Sequence, residues 1–174
     1  ERCCSCEGRL PGGIVPGIET GRTYGLALRW CYGAGMDPLA GSAWSQPATV
    51  EGFVQSAPNA VLMRFAALER ARSRGSRLLD VGCGAGRNAL PLAHLGWDVL
   101  GIDLSAPMLA AAAGRAGEPQ GSGRLHLAFA PMDRIPVADE SVDFVVAHGI
   151  WNLATSTAMF RRAVRDAARV AKPG

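Results

Sequence analysis

The stretch LLDVGCGAGRNAL, from Leu78 to Leu90, has three glycines at alternate positions directly behind an apolar run that ends in an acid. Gly82, Gly84 and Gly86 carry no Cβ, so the backbone can turn sharply there and approach a ligand closely. Each such glycine weakens a regular element by roughly 0.5–1 kcal/mol relative to alanine, so a purely structural motif has little reason to carry three. We therefore interpret the stretch as a ligand-binding loop between a strand and a helix.

Strand and helix patterns alternate along the chain from residue 77 onward. Strands are predicted in RLLDVG, WDVLGIDLS, GRLHLAFA and SVDFVVAHG, and helices in GRNALPLAHLG, APMLAAAAGRAG and STAMFRRAVRDAARVAKPG. This alternation predicts an α/β fold, a Rossmann-like open and mostly parallel sheet with helices on both faces. Ligands of such sheets lie beyond the carboxyl ends of the strands, so the residues that follow each strand are the candidates for a site.

Two more helices are predicted before the loop, in QPATVEGFVQ and NAVLMRFAALERARSRG. Asn59 and Ser105 stand where helix N-caps are expected, because their side-chain oxygens can accept from the first free backbone N–H groups. The helical period predicts two apolar faces, one formed by Val61, Leu62, Phe65 and Leu68, and one formed by Phe160, Val164, Ala168 and Ala171.

Composition limits the class of protein. The 174 residues carry 18 basic and 15 acidic side chains, and a net charge of +3 is too small to indicate nucleic-acid binding. No apolar run is long enough to span a bilayer, and no stretch has the design of a signal peptide, so a cytoplasmic protein without a membrane partner is expected. Five cysteines, three of them crowded at the start, form a poor disulfide framework and no zinc-site spacing, so no metal is expected.

The chain divides into two parts by pattern. Residues 1–41 are rich in Gly, Pro and Cys without a sustained period, which predicts a loop-rich or disordered segment. Residues 42–174 are predicted to form one partial domain with four strands. The chain starts without Met and stops at AKPG, where a helix would pass into a new strand, so a fragment is expected. The fourth strand would then carry an open apolar edge that could associate with a partner.

Arg87 and Asp80 narrow the class of ligand. A dinucleotide loop of the form G-x-G-x-x-G needs glycine or alanine at position 87, where this chain has Arg87. Asp80 at the end of the strand would repel a pyrophosphate, but it suits a ligand that carries a cationic amine. A nucleotide-dependent oxidoreductase is therefore the weaker alternative.

Two further acids follow the next two strands. Asp103 lies where a carboxylate can accept hydrogen bonds from both ribose hydroxyls. Asp133 could accept from an exocyclic amine, and the neighbouring Met132 could cover the face of a base. An amine, a ribose and an aminopurine bound in order across three strands describe S-adenosylmethionine.

The motifs LLDVGCGAGRNALPLA, GIDLSAPML, MDRIPVADESVDFVVAHGIWNLA and AARVAKPG resemble those of class I S-adenosylmethionine-dependent methyltransferases, over residues 43–174. GCGAGRNAL followed by DLS most resembles the small-molecule branch that includes tellurite-resistance-type enzymes. The resemblance implies a seven-stranded sheet, of which this chain supplies four strands. It also implies that Asp80 and the Gly82–Gly84 backbone hold the methionyl end, that Asp103 binds the ribose, and that Leu104 lies against the adenine. Asp133 and Met132 would contact the adenine.

Three residues after the fourth strand are candidates for the reacting centre. The resemblance implies that His148 borders this centre, and an ordinary pKa of about 6.5 would let it act as a general base, although substrate positioning is equally consistent. Trp151 and Asn152 are candidate substrate contacts, and Trp151 could instead be a core aromatic. Cys83, within the cofactor loop, is interpreted as a small side chain beneath the ligand rather than a nucleophile.

The methyl acceptor is expected to be a small molecule. Enzymes that methylate amino groups of adenine or glutamine resemble one another in an N/D-P-P-Y/F motif, and this chain has AHGIWN in its place. Cytosine-5 enzymes need a Pro-Cys nucleophile, and the chain contains no Pro-Cys dipeptide. A cofactor-binding module without catalytic activity stays open as an alternative.

Overall fold

The computed structural model describes residues 38–116 and 123–173, so most of the predicted N-terminal segment 1–41 lies outside the described residues. The strands are β1 (Arg77–Val81), β2 (Asp98–Asp103), β3 (Arg124–Phe129) and β4 (Phe144–Val146). The α-helices are α1 (Pro47–Gln55), α2 (Ala60–Arg72), α3 (Ala89–His94), α4 (Ala106–Arg115) and α5 (Thr157–Val170), with 3-10 turns at Ala43–Ser45 and Trp151–Leu153. Within these ranges no helix combines the length and the apolar content needed to cross a bilayer.

The four strands form one parallel sheet in the order β3-β2-β1-β4. The central strand β1 pairs Leu79 with Leu100 of β2 on one side and with Val145 of β4 on the other. The predicted open parallel sheet with helices on both faces is confirmed. The fourth strand is shorter than the predicted SVDFVVAHG, since only Phe144–Val146 are in the ladder.

Successive side chains of β1 enter two separate cores. Leu78 packs in a cluster with Leu92 of α3 and Leu109 of α4, whereas Leu79 packs in a cluster with Val170 of α5. Leu78 and Leu79 are both almost fully buried. A strand covered on both faces needs a continuous apolar run rather than an alternating one. In β1, Leu78, Leu79 and Val81 form this run, which only Asp80 interrupts.

Both predicted caps are present. The Asn59 side chain accepts from the backbone N–H of Leu62 at 2.9 Å, and that of Ser105 accepts from Met108 at 3.3 Å. The Ser105 hydroxyl also donates to the backbone oxygen of Trp44 at 3.0 Å, which ties the segment before α1 to the start of α4.

The predicted apolar face of α2 was wrong for three of its four residues, since only Leu62 packs against the core cluster around Leu78. Val61, Phe65 and Leu68 are 66%, 51% and 57% exposed, and the buried residue of this helix is Ala66. The Trp97 indole donates to the Ala66 backbone oxygen at 3.2 Å, so α2 approaches the residues that lead into β2 at a small side chain.

The predicted face of α5 was wrong for the same reason. Phe160 and Val164 are exposed, and the helix buries a stripe of Ala163, Ala167 and Val170. Small side chains let the helix approach a sheet surface already filled by larger residues, so the period was correct and the choice of face was not.

β4 is an edge strand of the described sheet, but one end of this edge is occupied. Val142 and Ala171 form a parallel bridge just before β4. The backbone N–H of Lys172 donates to the Val142 oxygen at 2.9 Å, and its Nζ contacts Asp143 at 2.6 Å. The residues after α5 therefore run alongside the residues that lead into β4.

Candidate functional site

The three alternate glycines adopt a backbone conformation that L side chains rarely adopt. Gly82, Gly84 and Gly86 have φ values of +73°, +53° and +76°. The N–H groups of Gly82 and Cys83 both donate to the Ile102 oxygen, at 2.8 and 3.0 Å, which fixes the loop to β2. The loop is therefore shaped by its glycines and held by the strand next to it.

Two apolar side chains lie close over this loop. A Cβ added at Gly82 would lie 2.6 Å from Cδ1 of Ile150, which follows β4. A Cβ at Gly84 would lie 3.6 Å from the ring of Phe53 in α1. The Phe53 ring meets Trp44 edge-on with centroids 6.0 Å apart, so the segments before β1 and after β4 both contribute to the walls of the site.

Asp80 is a buried carboxyl group at the base of the loop. It is 2% exposed, and its Oδ2 has no hydrogen-bond partner among the described residues. Burial, and then the charge of Asp103, raises the pKa of Asp80 to about 7, while the charge of Arg87 opposes the rise. An unpartnered buried oxygen of this kind fits a ligand that donates hydrogen bonds and carries positive charge.

Asp103 joins the loop to the start of α4. Its Oδ2 accepts from the N–H of Gly84 and its Oδ1 from that of Ser105, each at 2.8 Å. Burial raises its pKa, and these backbone hydrogen bonds oppose the rise. A carboxylate has about four acceptor positions, so two backbone bonds leave capacity for the two hydroxyls of a ribose.

Cys83 lies beneath the loop and points toward β2. A Cβ added at Gly101 would lie 2.8 Å from the Cys83 sulfur, so the thiol occupies the space that this glycine leaves. Burial, then the charges of Asp103 and Asp80, raises the pKa of the thiol well above its usual value. A buried protonated thiol is a packing group, which agrees with its interpretation as a small side chain under the ligand.

His148 lies at the rim of the site between two donors. Its Nε2 is 3.2 Å from the amide nitrogen of Asn59, and its Nδ1 is 3.2 Å from a guanidinium nitrogen of Arg87. The Arg87 guanidinium also lies over the Phe53 ring, 5.8 Å from its centroid. The structure thus places the predicted His148 at the mouth of the glycine loop.

The remaining candidates are spread more widely. Asp133 pairs with Arg162 of α5 at 2.9 Å, and Met132 is buried in the core cluster under α5. Trp151 meets Phe160 edge-on with centroids 6.3 Å apart, and Asn152 is exposed. Their roles at the adenine and at the substrate stay predictions.

Leu104 is half-buried at the end of β2 and packs against the core cluster around Leu78, next to Asp103. Its placement against an adenine also stays a prediction.

Phe53 and Asn88 are site residues that the sequence analysis did not single out, and Asn59 was predicted only as a helix cap. Asn88 is buried, and its side-chain oxygen accepts from the Asn59 backbone N–H at 3.0 Å, which fixes the start of α2 to the glycine loop. The sequence signal for Asn88 was its position at the start of the predicted helix that follows the glycine loop, where a polar side chain often makes backbone hydrogen bonds. Nothing in the period of α1 indicates that Phe53 faces Gly84.

Comparisons with known proteins agree with this geometry. The family model described as "Methyltransferase domain" matches residues 79–174. A ubiquinone/menaquinone biosynthesis C-methyltransferase of Geotalea daltonii is 31% identical over 115 residues, which are 64% of this chain and 47% of that protein. An O-methyltransferase of Aspergillus sclerotiorum, resE, is 34% identical over 103 residues, which are 59% of this chain and 38% of that protein.

Among solved structures, the CcbJ methyltransferase of Streptomyces caelestis superposes with a TM-score of 0.57 at 27% identity, covering 67% of this chain and 47% of that one. The chain thus spans less than half the length of the curated relatives described above. The family match covers more than half of the 174 residues and includes the glycine loop, Asp103 and all of α5. The chain therefore belongs to the class I S-adenosylmethionine-dependent methyltransferases.

Proposed function

We propose that the protein binds S-adenosylmethionine at the glycine loop and takes part in methyl transfer to a small-molecule acceptor. The observation that carries the proposal is the buried Oδ2 of Asp80, which has no partner in the described part of the chain and lies at the base of a bare glycine loop. The methionyl end of the cofactor carries an ammonium group, which would supply both the missing donor and the missing positive charge. Asp103, at the end of the neighbouring strand, would accept from the ribose.

When bound, the cofactor supplies an electrophilic methyl group on a sulfonium, which an acceptor attacks in line. The main work of the protein is then to align the two reactants and to exclude water. Ile150 and Phe53 are suited to excluding water, since both pack over the loop. His148 is suited to positioning the acceptor at the rim of the site, where its two ring nitrogens each lie 3.2 Å from a donor of Asn59 or Arg87.

A small-molecule acceptor is supported by the relatives and by the motifs. One similar protein is named as a C-methyltransferase of ubiquinone and menaquinone biosynthesis, and another as an O-methyltransferase. The segment AHGIWN after β4 differs from the N/D-P-P-Y/F motif of the amino-methylating enzymes. A soft acceptor such as a thiol or chalcogen anion would need little help from a base, so the proposal does not depend on a catalytic dyad.

Calorimetry with S-adenosylmethionine and its demethylated product tests the proposal. Wild type is expected to bind both, and Asp103→Asn is expected to weaken binding about tenfold through the loss of a charged acceptor. Asp98→Asn is the matched control, since Asp98 is the first residue of β2 and Asp103 the last, at opposite ends of the strand.

Each outcome has a separate consequence. A folded wild type that binds neither ligand would overturn the proposal. Equal affinity in wild type and Asp103→Asn would remove the ribose assignment and leave the cofactor in place. Thermal stabilisation by NAD, with none by S-adenosylmethionine, would favour an oxidoreductase instead.

A further inference from the structure

The β3–β4 segment, residues 130–140, carries the chain from β3 toward β4 without a helix or a strand, and all of it is described. It begins beside the cofactor site, because the N–H of Ala130 donates to the backbone oxygen of Asp103 at 3.1 Å. It ends next to α5, where the N–H of Glu140 donates to the Arg169 oxygen at 2.9 Å. Its backbone polar groups therefore need partners outside regular secondary structure.

Ile135, in the middle of this segment, is buried in the core cluster under α5. Buried backbone N–H and C=O groups need hydrogen-bond partners, and Ile135 belongs to no strand of the described sheet. Its N–H donates to the Asp166 carboxylate of α5. Its oxygen accepts from Nη2 of Arg169 at 2.9 Å and from the N–H of Val137. An acid and a base of α5 therefore supply the acceptor and the donor that a neighbouring strand would supply.

Asp166 and Arg169 are also bound to each other. The Nε of Arg169 donates to Oδ1 of Asp166 at 2.7 Å, and Oδ2 of Asp166 is the oxygen that accepts from Ile135. The Nη1 of Arg169 donates to the Val137 oxygen at 2.7 Å and to the Asp139 carboxylate at 2.6 Å. Hydrogen bonds to charged groups are stronger than neutral ones, so this pair fixes the segment at several points.

The site end of the segment is held from the same helix. Arg162 of α5 donates to Oδ2 of Asp133 from Nε at 3.1 Å and from Nη2 at 2.9 Å. A carboxylate has about four acceptor positions, so Asp133 keeps capacity for a donor of the ligand.

We propose that Asp166 and Arg169 are positioning residues for the cofactor, which hold the β3–β4 segment so that Met132 and Asp133 meet the adenine. The inference rests on the proposed function, in which S-adenosylmethionine occupies the site beyond the carboxyl ends of the strands. Met132 shares a core cluster with Ile135, so a displacement at Ile135 is transmitted to it through close packing. Asp166 and Arg169 act through the segment and need no contact with the ligand.

The test measures calorimetric affinity for S-adenosylhomocysteine and for S-inosylhomocysteine, which differ only in the base. Inosine has a carbonyl oxygen where adenosine has the exocyclic amine. Wild type is expected to prefer the adenine form by roughly tenfold or more, because a site built to accept from an amine is left with an unpaired acceptor by the other base. Arg169→Gln is expected to reduce this preference to less than about threefold, since a displaced segment no longer distinguishes the two bases.

Asp166→Asn is a second, milder variant. Its amide oxygen can still accept from Ile135, but the charge that binds Arg169 is lost, so the preference is expected to fall at least about twofold. Arg72→Gln and Glu69→Gln are the matched controls, because Glu69 and Arg72 form an ion pair with the same spacing on α2. Both controls are expected to keep the wild-type preference.

Hydrogen exchange separates positioning from a contribution to the fold alone. The Ile135 amide is expected to exchange at least about tenfold faster in Arg169→Gln than in wild type. Faster exchange with an unchanged base preference would show that the pair only stabilises the fold, and it would overturn the proposal. An equal loss of preference in Arg72→Gln would overturn it as well.

The remaining outcomes separate this inference from the function beneath it. A wild type that binds neither ligand contradicts the proposed function and the positioning role together. A wild type that binds both ligands with equal affinity keeps the function and overturns the positioning role. Circular dichroism identifies a variant that fails to fold. If Arg169→Gln does not fold, Asp166→Asn decides, and a folded Asp166→Asn with the wild-type preference overturns the proposal.

Discussion

Asp80 couples the ionisation of one side chain to the stability of the fold. Its pKa in the folded protein is about 7, against an ordinary value of 3.8, because it is buried beside Asp103. The folded protein therefore binds this proton more tightly than the unfolded chain does. The contribution of Asp80 to stability is most favourable below the ordinary pKa, decreases as the pH rises between the two values, and is constant above about 7.

Asp80→Asn should remove this pH dependence. The free energy of unfolding of the wild type is expected to lose up to about 4 kcal/mol from this group between pH 4 and pH 8, from the difference between the two pKa values. The variant should show a flatter profile over this interval in urea denaturation. Parallel profiles in the two proteins would show that Asp80 ionises normally.

The same ionisation should control cofactor affinity. Binding of an ammonium group needs the carboxylate form of Asp80, so the affinity of wild type for the demethylated product should rise with pH toward and through about 7. Calorimetry at several pH values checks this, and Asp80→Asn should show weak binding without the rise. An affinity that is constant with pH in the wild type would argue against an amine at Asp80.

Gly82→Ala should destabilise the protein for two separable reasons. The backbone at Gly82 has a φ of +73°, and the new Cβ would meet Ile150 at 2.6 Å. The expected cost is about 1–3 kcal/mol in denaturant unfolding. When Ile150→Ala is also present, Gly82→Ala should lose only the free energy due to the positive φ, because the contact with Ile150 is absent. A double-mutant cycle measures the difference.

Gly114→Ala is the control for this substitution. Gly114 lies in α4, and a Cβ there would meet nothing within 4 Å. Alanine should stabilise it by about 0.5–1 kcal/mol. A Gly82→Ala variant that loses no stability would contradict both the backbone strain at Gly82 and the packing of Ile150 on the loop.

Some site residues could be read from the sequence and others could not. The alternate glycines and their acid are contiguous, so their pattern alone indicates a bare loop with a buried carboxylate. Phe53 and Asn59 come to the same loop from α1 and α2, and only the tertiary fold brings them there. The position of Arg87 after the loop is evident from the sequence, but its lack of an ion pair with any acid of the described residues is not.

Among the secondary-structure elements, the start of α4 is joined to the segment before α1 by Ser105. Its hydroxyl caps α4 and also donates to the Trp44 oxygen ahead of α1, although Ser105 is only 1% exposed. Trp44 in turn packs on Phe53, which covers Gly84. Loss of the Ser105 hydroxyl should therefore destabilise the packing of Trp44 and Phe53 at the site as well as the start of α4.

Ser105→Ala should cost more than an ordinary cap deletion. We expect about 2 kcal/mol in urea unfolding and faster hydrogen exchange in α1. Ser156→Ala is the matched control, since Ser156 caps α5 in the same way at an exposed site and should cost about 1 kcal/mol without affecting α1. Equal losses in the two variants would show that the bond to Trp44 contributes nothing.

The sequence predicted which helices and strands exist and in what order, but it did not predict which faces of α2 and α5 are buried. In α2 and α5 several large apolar side chains, among them Phe65 and Phe160, are exposed, whereas Ala66 of α2 and Ala163 of α5 are fully buried. Size is decisive here, because Trp97 and the residues under α5 already fill the space beside the sheet. A periodic pattern predicts that a helix has a face, but the volume left by its neighbours decides which one is buried.

At the scale of the described molecule, residues 38–116 and 123–173, an apolar surface lies beside the edge strand β4. Val61, Phe65 and Leu68 are exposed on α2, and the Phe65 ring lies 5.8 Å from that of Phe144 in β4. Contiguous apolar surface of this kind favours self-association at high concentration.

Val61→Lys combined with Leu68→Lys should reduce this association in sedimentation experiments while leaving the unfolding midpoint nearly unchanged. Ala71→Lys with Ala110→Lys adds the same charge at exposed helix positions elsewhere and serves as the control. Association that persists in the first variant, or that disappears equally in both, would show that the surface on α2 is not responsible.

The fit of Cys83 into the space left by Gly101 gives the loop a built-in chemical reporter. A thiol that is buried and protonated should react with iodoacetamide only when the loop separates from β2, so its alkylation rate measures how often that separation occurs. Peptide mass spectrometry distinguishes Cys83 from Cys3, Cys4, Cys6 and Cys31. A ligand seated on the glycines should slow the labelling of Cys83 in proportion to its occupancy, which allows binding to be followed without knowledge of the methyl acceptor.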